Sequence, residues 1–123
     1  MLFQCFEYHS ELDKFYTSEE KYWALIAGLA HDMNHPGTNN AFEIKTKSAR
    51  AIEYNNESVL ENFHAKEFWR LLEKNDDINF LKKVKNPDRV KNYITGLILM
   101  TDVGQHFKNL EKLKAMNVEA TKP

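Results

Sequence analysis

A nearly unbroken apolar run, Tyr22–Ala30, closes on ligand-type side chains at His31, Asp32 and His35. A run of this kind predicts a helix that is buried on most sides and therefore central to the fold. In such a helix His31 and His35 lie one turn apart on the same face, with Asp32 about 100° round the axis. Imidazole and carboxylate groups at the end of a buried helix suit a divalent cation that activates water.

Recognisable signals bound the helix that holds this run. Thr17 and Glu20 have the spacing of a capping box, in which Thr17 caps the first turn and Glu20 bonds back to it. Pro36 disfavours α-helical backbone at the residue before it. We therefore expect the helix to end near Asn34 or His35.

Length and composition favour one helical domain. A chain of 123 residues can build a single core of modest size. The 4 glycines and 3 prolines favour long helices over a turn-rich β architecture, so we predict an all-α fold.

Charge and hydropathy exclude several classes of protein. The 17 basic and 18 acidic side chains leave a formal net charge of -1 and no basic stripe, so nucleic-acid binding has no electrostatic support. No apolar run approaches the roughly 18 residues of a membrane-spanning helix, and no targeting segment is visible. The single cysteine, Cys5, cannot form an internal disulfide. We expect a soluble, cytoplasmic protein.

Apolar spacing predicts further helices on both sides of the central one. It covers residues 2–16, and short helices are expected near Thr38–Ile44 and Ser48–Tyr54. Ser58 is expected to cap a strong helix, with Glu61 three residues on as the partner in a capping box.

The expected core positions of that strong helix are Leu60, Phe63, His64, Phe68, Leu71 and Leu72. Asp76 or Asp77 is expected to cap the short segment that follows. Asn86–Pro87 then opens a helix for which Gly104 is the expected stop, before a last amphipathic helix over Phe107–Met116. One face of the helix after Pro87 runs to Thr101.

The helix expected over residues 2–16 has no start signal, because no capping residue or turn precedes it. Either the sequence is cut from something longer, or this helix frays at a true terminus. Both explanations stay open.

The cluster that follows the apolar run favours a metal or catalytic role over that of hydrogen-bonded core residues. Three ligand-type groups stand within five positions, His31 to His35. The pattern differs from the His-Glu-x-x-His of zinc proteases. A carboxylate directly after the first histidine suits a shared site in which it bridges two cations. Imidazole prefers zinc, whereas carboxylate and water suit magnesium or manganese.

Three segments resemble, in order and spacing, motifs of the class I 3′,5′-cyclic nucleotide phosphodiesterases. His31–Asn40 resembles the metal-binding signature of that family, and Tyr54–His64 is similar to its Tyr-Asn-Asp-x-Ser-Val-Leu-Glu-Asn-His-His stretch. Leu97–Val103 resembles a helix that ends in Ala-Thr-Asp-Met. The resemblance extends from about Leu25 to Met116. The wider group of HD-type metal phosphohydrolases shares only the His-Asp pair and ranks second.

The resemblance implies a multi-helix orthogonal bundle with two divalent metal ions, zinc plus magnesium or manganese. In that family a bridging hydroxide attacks the cyclic phosphate of cAMP or cGMP and yields the 5′-monophosphate. By the same resemblance, residues 1–118 form the central part of the catalytic domain, and 119–123 form a polar tail.

Roles for individual residues follow from the resemblance alone. His31 is implied to bind zinc, and Asp32 to contact both metals and the substrate. A further set is implied to hold the water shell of the second metal: His35, Glu61 and Thr101, with Asp102 in support.

Structural alternatives remain open for most of these positions. Glu61 could serve only as the capping glutamate, and Thr101 could finish a buried helical face. Asp102 could be a solvated residue near the helix end. His64 is expected to be a hydrogen-bonded core histidine.

The chain also departs from the family pattern. It contains neither the upstream His-Asn-x-x-His-Ala motif nor the downstream aspartate and purine-binding glutamine. Phe63 stands where the family commonly has histidine, and Val103 where methionine is usual. The chain is therefore expected to be the middle part of an enzyme or a non-catalytic helical module. Its apolar faces would then meet flanking sequence or pair in a homodimer.

Overall fold

The computed structural model describes residues 15–106, 110–112 and 114, and their regular structure is helical. The helices with defined bounds are α1 Ser18–Ala30, α2 Asn40–Lys45, α3 Ala49–Glu53, α4 Val59–Lys74 and α5 Pro87–Leu99. Short 3-10 turns occupy Phe80–Lys83 and Val103–Gln105. No strand occurs in this described part, which confirms the predicted all-α class.

Two predicted segments lie wholly or largely outside the described residues. The helix expected over 2–16 is described only at Phe15 and Tyr16, which form a turn. Of the helix expected over Phe107–Met116, residues 110–112 and 114 are described and are helical. The polar tail 119–123 lies outside. Among the described helices, none is both long and apolar enough to cross a bilayer.

The capping box at the start of α1 is confirmed. The Thr17 hydroxyl accepts a hydrogen bond from the Glu20 amide at 3.2 Å. In return, the Glu20 carboxylate accepts one from the Thr17 amide at 2.8 Å. Two amides that the first helical turn would leave unpaired therefore have partners, so the start of α1 is defined by local sequence.

The predicted end of α1 is wrong by about one turn. The helix stops at Ala30, and a turn over His31–Asn34 follows it. The Met33 amide donates to the Ala30 carbonyl at 3.0 Å, and Asn34 adopts a left-handed backbone with φ 58°. A left-handed residue ends a helix, so the chain leaves α1 before Pro36 can act. His31 is the residue that closes α1.

Burial of α1 is one-sided, contrary to prediction. Trp23, Ala27 and Ala30 are buried, whereas Tyr22 and Leu29 are 52% and 81% exposed. The described helices cover one face of α1, and the opposite apolar stripe has none of them against it. The prediction of burial on most sides is therefore wrong for the described part of the chain.

The core lies where α5 packs against both α1 and α4. Ile94 and Ile98 of α5 have no exposed surface. Trp23 of α1 stacks on Phe80 with ring centroids 5.2 Å apart, which closes the core on the side of the first 3-10 turn. The Trp69 indole of α4 donates to the Thr95 hydroxyl of α5 at 3.0 Å.

Most of the predicted core face of α4 is confirmed. The buried members of the predicted set are Leu60, His64, Phe68 and Leu72. Phe63 is half-buried. Leu71 is 41% exposed, so its assignment to the core is wrong. Its neighbour Leu72 takes the inward position, and one residue along a helix turns the side chain by about 100°.

The predicted start of α5 at Asn86–Pro87 is confirmed, whereas its predicted end at Gly104 is wrong. The Asn86 side chain accepts from the Arg89 amide at 3.1 Å, and Pro87 is the first helical residue. The helix ends at Leu99, so Gly104 is not its stop. Thr101 is exposed and does not extend the buried face.

Neither Asp76 nor Asp77 caps the segment after α4. The 3-10 turn begins at Phe80, and its capping position, Asn79, makes no side-chain cap bond. Asp76 instead forms an ion pair with Lys82 at 2.6 Å. The acidic residues are therefore too early in the chain to cap this turn.

A buried carboxylate holds α2 and α3 together beside the turn that follows α1. Glu43 is 1% exposed and accepts from Arg50 at 2.9 and 3.2 Å. The Thr38 hydroxyl also donates to it. Hydrogen bonds from Arg50, then Ser48 and Thr38, lower the pKa of Glu43 to about 2. The segment after Pro36 is thereby held against α3.

We predict that Glu43 makes the fold acid-sensitive in a defined window. Its pKa falls from an ordinary 4.5 to about 2 on folding, so its stabilisation is complete above pH 4.5 and disappears as the pH approaches 2. Glu43→Gln should lower the free energy of unfolding at pH 7 by about 1–3 kcal/mol. It should also flatten the pH dependence within that window, as measured by urea unfolding.

The matched control is Glu73→Gln, because Glu73 is an exposed carboxylate of α4. In this variant the free energy of unfolding should change with pH between 4.5 and 2 as steeply as it does in the wild type. An equal slope in the wild type and in Glu43→Gln would show that the buried pair does not contribute as described.

Candidate metal centre

His31, which closes α1, presents one ring nitrogen that can bind a metal ion. The Nδ1 atom of His31 lies 2.6 Å from the Gly28 carbonyl oxygen. A carbonyl oxygen only accepts hydrogen bonds, so Nδ1 carries the proton and Nε2 of the neutral ring keeps its lone pair. A histidine that binds metal is commonly held in this way by a backbone carbonyl.

The next residue brings a carboxylate to that nitrogen. Asp32 Oδ2 lies 3.2 Å from His31 Nε2. Two ligands of one zinc ion, each bonded at about 2.0–2.1 Å, are separated by roughly this distance. The two side chains are 41% and 67% exposed, so solvent and ions reach them. A proton on Nε2 would turn the same contact into an ion pair.

A second group of ligand atoms lies around the same carboxylate. Asp32, His35 and His64 each offer a ligand atom, and these atoms lie within 4.8 Å of one another. The His35 and His64 rings stack with centroids 5.3 Å apart. A spacing of this size can exceed the reach of direct bonds to one ion, which leaves room for bridging water.

His64 is held in the same tautomer as His31. Its Nδ1 atom lies 2.7 Å from the Met33 carbonyl oxygen, so Nδ1 is the donor and Nε2 retains a lone pair. The side chain is 2% exposed. The bond also joins the turn after α1 to the middle of α4.

His35 is held in the opposite tautomer. Its Nδ1 atom accepts a hydrogen bond from the Gly37 amide at 3.0 Å. The proton of the neutral ring is therefore on Nε2, which makes that atom a donor. Such a nitrogen suits the oxygen of a water molecule or an anion better than it suits a metal ion.

Asp32 therefore belongs to two groups of possible ligands. It is paired with His31 on one side and grouped on the other with His64, whose Nε2 keeps a lone pair, and with His35, whose Nε2 proton can donate to water. The combination of imidazole and carboxylate matches the ligands that zinc, magnesium and manganese use. These residues fit a centre for divalent cations.

Glu61 and Asp102 meet His35 at a neighbouring cavity of about 370 Å³. Asp102 is 8% exposed and follows the end of α5. Its carboxylate accepts from the Ser58 hydroxyl at 2.7 Å and from the Gly104 amide at 2.8 Å. The alternative that Asp102 is a solvated residue is therefore wrong.

The capping box predicted for Ser58 and Glu61 is absent. Ser58 adopts a left-handed backbone with φ 41° and makes no side-chain cap bond. Instead, the Asn40 side chain accepts from the Leu60 amide at 2.8 Å and donates to Glu61 at 2.9 Å. Glu61 does not serve as the capping glutamate.

Thr101 is separated from this cavity. It lies with His31 on a smaller cavity of about 200 Å³ between α1 and α5. Its hydroxyl donates to the Ile98 carbonyl at 2.7 Å. The structure thus brings His35, Glu61 and Asp102 to one cavity and leaves Thr101 at another.

Sequence reasoning missed part of this arrangement. His64 is a buried, hydrogen-bonded histidine as expected, yet it also lies in the group around Asp32. Its position three residues after Glu61, on the same side of α4, was a usable signal. Asn40 and Ser58 had no such signal, because their partners are distant in sequence.

Comparison with known proteins gives the family. The model of the 3′5′-cyclic nucleotide phosphodiesterase family matches residues 1–122. The chain belongs to this family. The match confirms the resemblance seen in three motifs, and membership implies dependence on divalent metals.

Individual relatives agree with this family. A 3′,5′-cyclic-AMP phosphodiesterase 4 of Dictyostelium discoideum is 34% identical over 105 residues, which is 84% of this chain and 10% of the relative. A probable 3′,5′-cyclic phosphodiesterase of Caenorhabditis elegans is 36% identical over 98 residues, 77% of this chain and 13% of the relative. A dual specificity calcium/calmodulin-dependent 3′,5′-cyclic nucleotide phosphodiesterase 1C of Homo sapiens is 31% identical over 109 residues, which is 87% of this chain and 15% of the relative. The chain thus spans a small part of each relative.

We predict that Asp32→Asn weakens cation binding more than the loss of an exposed carboxylate outside the candidate centre would. Asp32 is the residue shared by both groups of ligand atoms. Affinities for Zn²⁺ and Mn²⁺, measured by calorimetric titration, should both fall by about 10-fold or more. Asp76→Asn is the matched control and should leave both affinities within about twofold of wild type. Equal affinities in Asp32→Asn and wild type would contradict a metal centre at this position.

Proposed function

We propose that this chain is the central part of a 3′,5′-cyclic nucleotide phosphodiesterase catalytic domain, which hydrolyses cAMP, cGMP or both to the 5′-monophosphate. We assign the domain to residues 1–118 and the polar tail to 119–123. The supporting observation is the position of Asp32, 3.2 Å from His31 Nε2 and grouped with His35 and His64. A carboxylate shared between two sets of ligands suits a pair of cations.

The proposed cofactors are zinc and a second ion, magnesium or manganese. His31 and Asp32 would hold zinc, and Asp32 would also hold the second ion. When bound, the pair would lower the pKa of water and neutralise the charge that develops on a phosphodiester. The tautomer of His31 supports this assignment, because its free lone pair is on the nitrogen nearest Asp32.

The remaining residues are proposed to orient water and substrate oxygens. The Nε2 proton of His35 can donate to an oxygen, whereas the carboxylates of Glu61 and Asp102 can accept from water. The Thr101 hydroxyl donates to the Ile98 carbonyl, so its lone pairs remain available to a water molecule. Each group thus has a defined direction of hydrogen bonding.

The chain spans 10–15% of the length of these relatives. The names of those relatives refer to cyclic AMP or to cyclic nucleotides more broadly. We propose a cytoplasmic protein that binds cyclic nucleotide and no nucleic acid. The exposed apolar residues Tyr22 and Leu29 support pairing with flanking sequence or in a homodimer.

A non-catalytic helical module is the alternative. It is favoured by the ligand set, because a catalytic zinc usually has three protein ligands plus water, and our assignment supplies only His31 and Asp32. Another HD-type metal phosphohydrolase is less well supported, because the family match covers residues 1–122.

We predict that a chain of these 123 residues binds zinc weakly and turns over little or no cyclic nucleotide. Bound zinc would be measured by atomic absorption after gel filtration, and hydrolysis of cAMP and cGMP by separation of the 5′-monophosphates. Robust turnover by a purified monomer would show that the ligand set has been misassigned.

The sequence of the full transcript then distinguishes an enzyme from a non-catalytic helical module. In-frame flanks with a His-Asn-x-x-His-Ala motif upstream and a further aspartate downstream should yield an active protein. Asp32→Asn should reduce its kcat by at least about 100-fold. Stop codons on both sides, or an extended chain with both motifs and no turnover, would favour the module.

A further inference from the structure

We propose that Asn40 is a positioning residue, which holds the Glu61 carboxylate in one orientation at the metal centre. The inference rests on the proposed function, since that function places Glu61 beside the second cation. Nothing in the sequence motifs assigns Asn40 a partner, because Asn40 and Glu61 are 21 residues apart.

The side-chain amide of Asn40 makes two hydrogen bonds to the first turn of α4. Asn40 Oδ1 accepts from the Leu60 amide at 2.8 Å, and Asn40 Nδ2 donates to Glu61 Oε2 at 2.9 Å. A backbone amide only donates and a carboxylate only accepts, so the partners themselves define which end of the Asn40 side chain is oxygen. Leu60 and Glu61 are consecutive residues of the first turn of α4.

The local sequence does not cap α4, which leaves this task to Asn40. The first amides of a helix have no partner within it. Ser58 is at the capping position, but its backbone is left-handed, and its hydroxyl donates to Asp102 at 2.7 Å. Asn40 supplies an acceptor for α4 from another helix, while Ser58 holds a second carboxylate of the same cavity.

The consequence for Glu61 is a restricted carboxylate. With Oε2 bound to the side-chain amide of Asn40, the Glu61 carboxylate is held in one orientation, and Oε1 can accept from water in the cavity shared with His35. A glutamate side chain loses considerable rotamer freedom when it is held. Asn40 removes that freedom before any ligand arrives, which favours cation binding.

Aspartate would not substitute for Asn40. It could still accept from the Leu60 amide, but it would bring a second carboxylate to the 2.9 Å contact with Glu61. Like charges at that distance repel, so the Glu61 side chain would be displaced. The Nδ2 donor of the Asn40 side chain is therefore the group that positions Glu61.

The test is a double-mutant cycle on Mn²⁺ affinity in the 123-residue chain, measured by water-proton relaxation. Asn40→Ala should weaken Mn²⁺ binding by about 10-fold in the wild-type background. In a Glu61→Ala background the same substitution should have no further effect, because Asn40 acts through Glu61. Weakening of similar size in both backgrounds would mean that Asn40 only caps α4, and the inference would be wrong.

Asn86→Ala is the matched control. Asn86 also caps a helix through its side chain, by accepting from the Arg89 amide at 3.1 Å, but it makes no contact with Glu61. This variant should keep its Mn²⁺ affinity within about twofold of wild type. A loss as large as that of Asn40→Ala would attribute both effects to weakened capping and overturn the inference.

A second variant covers the case in which Asn40→Ala does not fold. Asn40→Asp keeps the acceptor for the Leu60 amide and lacks the donor to Glu61. By NMR without metal, the Leu60 amide should stay protected from exchange while the ¹³C resonance of the Glu61 carboxyl moves. An unmoved carboxyl resonance would overturn the inference.

The outcomes also separate this inference from the proposed function. Absence of Mn²⁺ binding by the wild-type chain up to millimolar concentration would overturn the proposed metal centre and the role of Asn40 together. Binding by the wild type that Asn40→Ala leaves unchanged would overturn the role of Asn40 alone.

Discussion

The hydrogen bond from the His64 ring to the Met33 carbonyl is the contact on which the candidate centre depends. It ties the turn after α1 to the middle of α4 at 2.7 Å, with His64 almost fully buried. Because α5 packs against both helices, this turn is attached to the packed core. Asp32 projects from the same turn, so its position relative to His64 is set by packing as well as by local sequence.

Hydrogen bonds from two further polar side chains hold the residues around the cavity shared by His35, Glu61 and Asp102. Asn40 joins the start of α2 to the first turn of α4, and Ser58 joins α4 to Asp102 beyond α5. Each bond joins segments that are far apart in sequence. Residues that resemble three separate motifs of the family are thereby held around one cavity by hydrogen bonds that also satisfy helix ends.

Local chemistry accounts for what could be predicted. The capping box of Thr17, the Asn86–Pro87 start of α5 and the buried face of α4 depend on residues three or four apart, and each is confirmed. The predicted end of α1 is wrong because a local turn over His31–Asn34 stops the helix, whereas the capping box predicted at Ser58 is wrong because its side chains have distant partners. Ser58 does not pair with Glu61, because Asn40 takes up the Leu60 amide and Asp102 takes up the Ser58 hydroxyl.

The amino-acid sequence by itself determined the all-α class, the family and the adjacency of His31 and Asp32, since these follow from periodicity and contiguous motifs. Only the tertiary structure decided that His64 joins Asp32, that Thr101 lies apart from Glu61, and that the Met33 carbonyl holds His64 with a lone pair on Nε2. The physical reason is the range of the interactions. Periodicity acts within a few residues, whereas the tautomer of His64 and the orientation of the Glu61 carboxylate are set by partners that folding brings from distant parts of the chain.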